Sequence, residues 1–345
     1  MLRPCVLLLV VCSAATAVAQ PTGHPVPSGP LWLTYEGSDG LGAGKHIVLI
    51  AADQEYRSEQ ALPMLAGILS KRHGFHCTVL FLVNDKKESD PTLPIRWQKE
   101  GKGIVHEIPG LEHLKTADLM ILFSRLVTLS DAGIAHIIDY FESGRPIIGI
   151  RTANHGFLEN FPYSKNGRRV RLGDDIFGGA FRSHHGNWHQ DSTRGVIVEE
   201  NKGHPVLMGV EDVWGPSDVY QCWGKGKTLG EDCTPLLLGQ PLVGRQPKDA
   251  VNKKKAALPI AWTKTWSGTT NRPARVFHVT MGSARDYQSE GLRRLTVNAV
   301  FWCLGMEKLI RPDLDCDYVG PYEPLESGFN YKKLGVKPRK PETYR

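Results

Sequence analysis

The chain has 345 residues, 41% of them apolar, and a formal net charge of +6 from 42 Lys and Arg against 36 Asp and Glu. That apolar fraction supports a sizeable core, and no stretch beyond the N-terminus approaches a transmembrane helix. The mild basic balance argues against a nucleic-acid footprint, because lysines gather only at Lys253 to Lys255 and between Lys332 and Lys340, as in solvated loops.

Arg3 is followed by the apolar run Val6 to Val11 and by small residues ending Ala17-Val18-Ala19, the pattern of a secretory signal peptide. The apolar run is too short to span a bilayer, and Cys12 lacks the small residue before it that a lipoprotein site needs. The expectation is cleavage near Ala19 and a secreted or periplasmic chain with no stable membrane insertion. Removing residues 1–19 takes away Arg3, so +6 becomes +5, and it leaves Cys77, Cys222, Cys233, Cys303 and Cys316. An odd number rules out complete intramolecular pairing. Cys77 and Cys303 sit in apolar patterns and read as buried thiols, Cys222 and Cys233 flank a Gly-rich loop as the candidate disulfide, and the absence of CxxC argues against a zinc-thiolate site.

Residues 20–44, rich in Pro, Gly and Ser, read as a linker or a strap. His46 to Ala52 is then a continuous apolar run of strand length. It leads through Asp53-Gln54-Glu55-Tyr56 into a helix marked by Leu62, Leu65, Ile68 and Leu69. Pro63 is tolerated only in a first turn, which predicts a start near Gln60, and Gly74 ends the helix. Thr78 to Val83 is a second strand, and the polar stretch Asn84 to Lys115 reads as an insertion. Leu119 to Phe123 is a third strand. Ser130 caps a helix with Ile134, Ile137, Ile138 and Phe141 on one face and Gly144 at its end, and Pro146 to Ile150 is a fourth strand. Strands apolar throughout and alternating with helices predict a mainly parallel sheet covered on both faces.

The second half is less regular. Gly195 to Glu199, Pro235 to Leu238, Leu258 to Trp262 and Arg275 to Thr280 read as strands. Ser289 then caps a helix with Leu292, Leu295, Ala299 and Trp302 inward, stopped by Gly305. Residues 308–345 form an irregular tail without periodicity, either disordered or draped over the surface.

Ligands of open parallel sheets bind beyond the carboxyl ends of the strands, which selects four clusters: Asp53 to Arg57, Arg151 to Gly156, Gly178 to His189, and Gly282 to Asp286. Asp53 and Glu55 are candidate general bases, with Tyr56 beside them as a substrate contact. In Gly149-Ile150-Arg151-Thr152-Ala153-Asn154-His155 the turn has the shape in which class I glutamine amidotransferase-like folds place a nucleophilic cysteine, yet that position is Arg151. A guanidinium stays protonated and is no nucleophile, so glutaminase chemistry is not supported. Arg151 and Asn154 are candidate substrate contacts and His155 a candidate acid–base residue. The third cluster brings Arg182, His184, His185, Trp188 and His189 together. His184 is the acid–base candidate, Arg182 and Trp188 can contact a sugar, and His184, His185 and His189 are candidate ligands of a divalent metal such as zinc. Arg285 is a substrate-contact candidate in the fourth cluster.

In this order the segments resemble the trehalose-utilisation (ThuA-like) family. The features are Asp53-Gln54-Glu55-Tyr56, Gly149-Ile150-Arg151, Gly178-Gly179-Ala180-Phe181 leading to His184, His204-Pro205, Pro259-Ile260-Ala261-Trp262, and Phe277 to Gly282 with the Arg293-Arg294 helix. The match runs from about Lys45 to Glu307, so residues 45–307 are expected to form a ThuA-like domain. The resemblance implies an α/β fold, a flavodoxin-like or class I glutamine amidotransferase-like three-layer sandwich with a mainly parallel central sheet. It also implies a role in carbohydrate utilisation, as a hydrolase or lyase if an enzyme, with a small carbohydrate as ligand and room for an oligomer. Many members resembling it carry His where this chain has Arg151, a departure that argues against a metal at that position. Two other readings of the same residues stand beside it, a non-catalytic sugar-binding or scaffold protein and a metal-dependent hydrolase.

Overall fold

The computed structural model describes residues 29–157, 161–223 and 228–345, and the expected signal peptide at residues 1–19 lies outside them. Within the segment read as a linker or strap, Trp32–Tyr35 forms a strand, β1. The first apolar run is β2 (His46–Ala52), buried at every residue, and α1 (Ser58–His73) follows. Next come β3 (His76–Phe81), β4 (Leu119–Ser124), α2 (Asp131–Glu142) and β5 (Ile147–Ile150). A small hairpin, β6 (Ser164–Lys165) and β7 (Arg168–Arg169), precedes β8 (Ala180–His184), β9 (Ser192–Ile197), β10 (Trp214–Gly215) and β11 (Tyr220–Trp223). The chain continues through β12 (Thr234–Leu242), β13 (Leu258–Ser267), β14 (Pro273–Val279), α3 (Glu290–Cys303) and the single turn α4 (Tyr331–Leu334).

Ten strands form one sheet in the order β1-β3-β2-β4-β5-β14-β13-β12-β9-β10. The stretch β3-β2-β4-β5-β14 is parallel throughout. Numbered by occurrence among themselves, these five strands run 2-1-3-4-5, the flavodoxin-like order. The fold class read from the sequence is therefore the one observed, with a parallel core that antiparallel strands extend at both edges. Along β2, Ile47, Leu49 and Ala51 enter one core together with Leu62, Leu65 and Leu69 of α1 and Leu292, Leu295 and Ala299 of α3. Val48, Ile50 and Ala52 enter the other with Ile134, Ile137 and Phe141 of α2. This alternation makes the three layers, each fully buried Val, Leu or Ile contributing roughly 1.5–3 kcal/mol.

Several local expectations shift. α1 begins at Ser58 rather than near Gln60, because the Ser58 hydroxyl holds the Asp53 amide at 3.0 Å and Arg57 takes the cap position. Pro63 therefore lies inside the helix. The stretch read as an insertion supplies part of a layer: Leu111–Lys115 forms a 3₁₀ turn whose Leu111 and Leu114 join the core beneath α2. Ser130 and Ser289 cap α2 and α3 as expected, their hydroxyls accepting from Gly133 and Leu292 amides. Cys222 and Cys233 are both free, as are the buried Cys77 and Cys303. The tail is ordered and draped over the body, with the Gly328 amide donating to the Glu55 carbonyl at 2.9 Å.

Candidate functional site

The strand order reverses between β2 and β4, so the loops leaving these two strands flank the crevice where ligands of this architecture sit. Asp53 leaves β2, Arg125 leaves β4, Arg151 leaves β5, and the Thr280–Asp286 loop leaves β14. The two-stranded ribbon of β8 and β11, with His184 opposite Tyr220, stands beside them.

Arg151 keeps the geometry of a nucleophile elbow without a nucleophile. Its φ is +49°, a left-handed conformation rare outside glycine. Its side chain is buried, and the guanidinium donates to the carbonyls of Asp218 (2.9 Å) and Thr280 (2.7 Å) and to Asp218 Oδ1 (3.1 Å). It lies over the rings of Tyr220 (3.7 Å to the centroid) and Tyr56 (4.4 Å). Buried, with Nη1 and Nη2 bonded within the protein and Nε left without a partner, Arg151 braces the site; the substrate contact expected of it has no solvent-facing surface here.

Asp218, absent from the sequence reading, is the hinge of the arrangement. One carboxylate oxygen holds Arg151, and the other accepts from Nδ1 of His184 at 2.7 Å. The bond on Nδ1 fixes the ring and leaves Nε2 as the nitrogen that can take or give a proton. His184 retains about a third of its side-chain exposure. Its ring packs edge-on to Phe181 and Tyr220.

His155 packs against the same two rings, 4.8 Å from Phe181 and 6.2 Å from Tyr220. Asn154 orients it. The Asn154 amide nitrogen donates to the Gly179 carbonyl at 2.9 Å and to Cys222 Sγ at 3.2 Å, so its carbonyl oxygen accepts from His155 Nδ1 at 2.8 Å. His155 is thereby fixed in the tautomer with Nε2 unprotonated. Burial, and then the nearby Arg125 and Arg151 charges, push its pKa well below the ordinary histidine range. Asn154, expected to contact substrate, is buried and positions His155.

Asp53, expected as a general base, is bonded within the protein. Its Oδ1 accepts from the amides of Glu55 (2.7 Å) and Tyr56, and its Oδ2 accepts from the Thr152 hydroxyl at 2.7 Å. A carboxylate so occupied holds two loops in register, three of its roughly four acceptor sites being used within the protein. Glu55 is buried too, but it faces the crevice rim: Arg125 Nε lies 3.2 Å from one oxygen and Trp188 Nε1 donates to the other at 2.8 Å. Burial raises its pKa, which Arg125 partly opposes. Tyr56 is buried behind Arg151, supplying a ring face and no surface for a ligand.

The histidine cluster divides. His184 and His185 are consecutive at the end of a strand and point apart; His185 Nε2 bonds the Ala256 carbonyl at 2.8 Å. His189 takes a left-handed backbone and lies 3.9 Å from Glu55. Among the described residues no three His, Cys, Asp or Glu side chains stand where they could hold a metal ion, so His184, His185 and His189 form no such site. Arg182 is tied to the Trp223 carbonyl at 2.9 Å and to Asp174 at 2.5 Å. Trp188 stays partly exposed at the mouth, its ring 6.1 Å from His184. Arg285 pairs with Glu326 of the tail. Phe329 caps Arg125 at 4.9 Å, so the tail forms the roof of this end.

No protein-family profile and no curated protein matches the chain. Solved structures do. A protein from Bacteroides uniformis is 19% identical, with a TM-score of 0.48 over 85% of this chain and 100% of its own. Another from Parabacteroides merdae is 14% identical, with a TM-score of 0.46 over 87% of this chain and 99% of its own. Both are described as ThuA-like.

Proposed function

We propose that the chain is an exported ThuA-like protein of carbohydrate utilisation that performs acid–base chemistry on a glycoside or an oxidised sugar. The observation that carries the reading is the Arg151–Asp218–His184 relay, with one buried carboxylate shared between a fixed cation and an imidazole about a third exposed. The ordered motifs from Asp53 to the Arg293-Arg294 helix support the family, and the left-handed elbow occupied by arginine argues against acyl transfer.

In this scheme His184 Nε2 takes a proton from a substrate hydroxyl, carbon or bound water. Asp218 stabilises the resulting imidazolium, and Arg151 holds Asp218 in place without entering the crevice. His155, kept neutral, accepts a hydrogen bond through Nε2 and orients the ligand. Trp188 offers a ring face to a pyranose at the mouth. Arg125 and Glu55 form a charged pair at the rim beside it.

Calorimetry of wild-type protein and His184→Ala against a panel of neutral and acidic sugars, with product analysis of each mixture, tests the reading. Binding by both proteins with turnover only by wild type is the expected result. Binding without turnover by the wild type itself assigns the chain to sugar-binding proteins instead.

A further inference from the structure

Above the relay, two arginines from different elements converge on one acid. Arg245 Nη2 lies 2.9 Å from Glu326 Oε2, and Arg285 pairs with the other oxygen of the same carboxylate. Glu326 is the only carboxylate in an ion pair with either arginine among the described residues. Asp286, next in sequence to Arg285, is occupied by the amides of Ser217, Gly282 and Ser283. Two guanidiniums held this close need an anion between them, and the one present arrives on the irregular tail.

The space beside this pair belongs to the same crevice. A cavity of about 10 Å³, room for one water, has Arg245, Arg285, Glu326, Trp188, His189 and Asp218 in its lining. Glu326 and Ser327 of the tail are among its walls. The tail residues that follow touch the site at the Gly328 amide on the Glu55 carbonyl, at Phe329 over Arg125 and beside the Trp188 ring (6.3 Å), and at Tyr331 over Arg57.

We propose that Arg245 and Arg285 form a carboxylate-binding subsite next to His184, and that Glu326 fills it in the resting protein as a displaceable internal anion. The ligand is then a sugar acid whose carboxylate replaces that of Glu326 while its ring lies toward Trp188 and His184. The assignment of a sugar rests on the acid–base reading above; the carboxylate subsite rests on the arginine pair alone.

The test uses the mature full-length chain with D-glucuronate as probe, D-glucose as the neutral control and inorganic phosphate as the alternative anion. If Glu326 occupies the subsite nine-tenths of the time, Glu326→Gln binds glucuronate about tenfold more tightly than wild type, since apparent affinity scales with the open fraction. Glucose affinity is unchanged, and Arg285→Gln added to Glu326→Gln removes the gain. Adding His184→Ala to Glu326→Gln leaves glucuronate binding intact while abolishing any turnover, so the subsite and the acid–base reading fail separately. In wild-type protein glucuronate, and not glucose, increases amide hydrogen exchange across residues 326–331, a readout independent of how the variants fold. Unchanged glucuronate affinity in Glu326→Gln, an equal gain for phosphate, or no change in exchange overturns the proposal.

Discussion

Arg151 and Asp218 meet at 3.1 Å in the interior with both side chains all but closed to water. Removing one partner of such a pair leaves the other charge buried and uncompensated, which costs about 3–5 kcal/mol. Arg151→Met is therefore expected to lower unfolding stability by about that amount in urea titrations. Pairing it with Asp218→Leu should recover part of the loss, because no stranded charge remains. A single variant as stable as wild type would show that Asp218 is not held by this pair.

Acid sensitivity follows from the buried histidines. His278 is packed between Phe177 and Trp262, and burial takes it from its ordinary 6.5 down to about 3. The unfolded chain takes up a proton below pH 6.5 that the folded chain refuses. Stability should therefore fall as pH drops from about 6.5 toward about 3, by about 1.4 kcal/mol per pH unit for this group. His155, His73 and His106, also lowered mainly by burial, act in the same direction. Denaturant midpoints at pH 7 and pH 5 measure the slope, and His278→Phe is predicted to flatten it; an identical slope in the variant would remove His278 from the explanation.

Trp188 reports on Glu55. Its indole donates to the Glu55 carboxylate at 2.8 Å, and burial raises the pKa of that carboxylate above the ordinary 4.5. The fluorescence difference between wild type and Trp188→Phe should thus titrate with a midpoint above 4.5. Glu55→Gln should abolish the transition. A midpoint at or below 4.5 would mean that Arg125 outweighs burial.

Gly282 sets the loop that carries Asp286. Its φ of +133° suits glycine alone, and a β-carbon built there would lie 2.4 Å from Ile150 Cγ2, directly before the elbow. Gly282→Ala is expected to cost about 1–3 kcal/mol through backbone strain and overpacking. Thermal melts check it, and an unchanged melting temperature would show that the loop yields.

The parallel core was legible because β2, β4 and β5 are apolar throughout and each is followed by a polar turn. The antiparallel extension was legible only as separate strands. β12 and β13 carry bulges that shift the period, so their partners could not be read from alternation. Inspecting strand ends selected His155 and His184, which the fold brings against the same Phe181 and Tyr220 rings. It also selected Asp53, Asn154 and Arg151, whose side chains turn inward to brace loops, a difference that depends on partners distant in sequence: Thr152 for Asp53, Gly179 and Cys222 for Asn154, Asp218 for Arg151.

Two residues were missed for different reasons. Arg125 directly follows β4 and satisfies the same strand-end criterion that chose Asp53, so the signal was present. Asp218 sits in the irregular stretch between β10 and β11, 34 residues from His184, and no local pattern marks it. The tail offered no periodicity because its buried residues, Ile310, Leu314 and Cys316, join the core from irregular backbone rather than from one face of a helix or strand.

The most direct test of the central claim is turnover by His184→Ala on whichever sugar of the panel the wild-type protein converts. General acid–base catalysis by one side chain contributes about 10²- to 10⁴-fold, so the variant should lose at least about 100-fold in kcat while still binding the sugar. A kcat within about twofold of wild type would contradict an acid–base role for His184, whatever the binding data show.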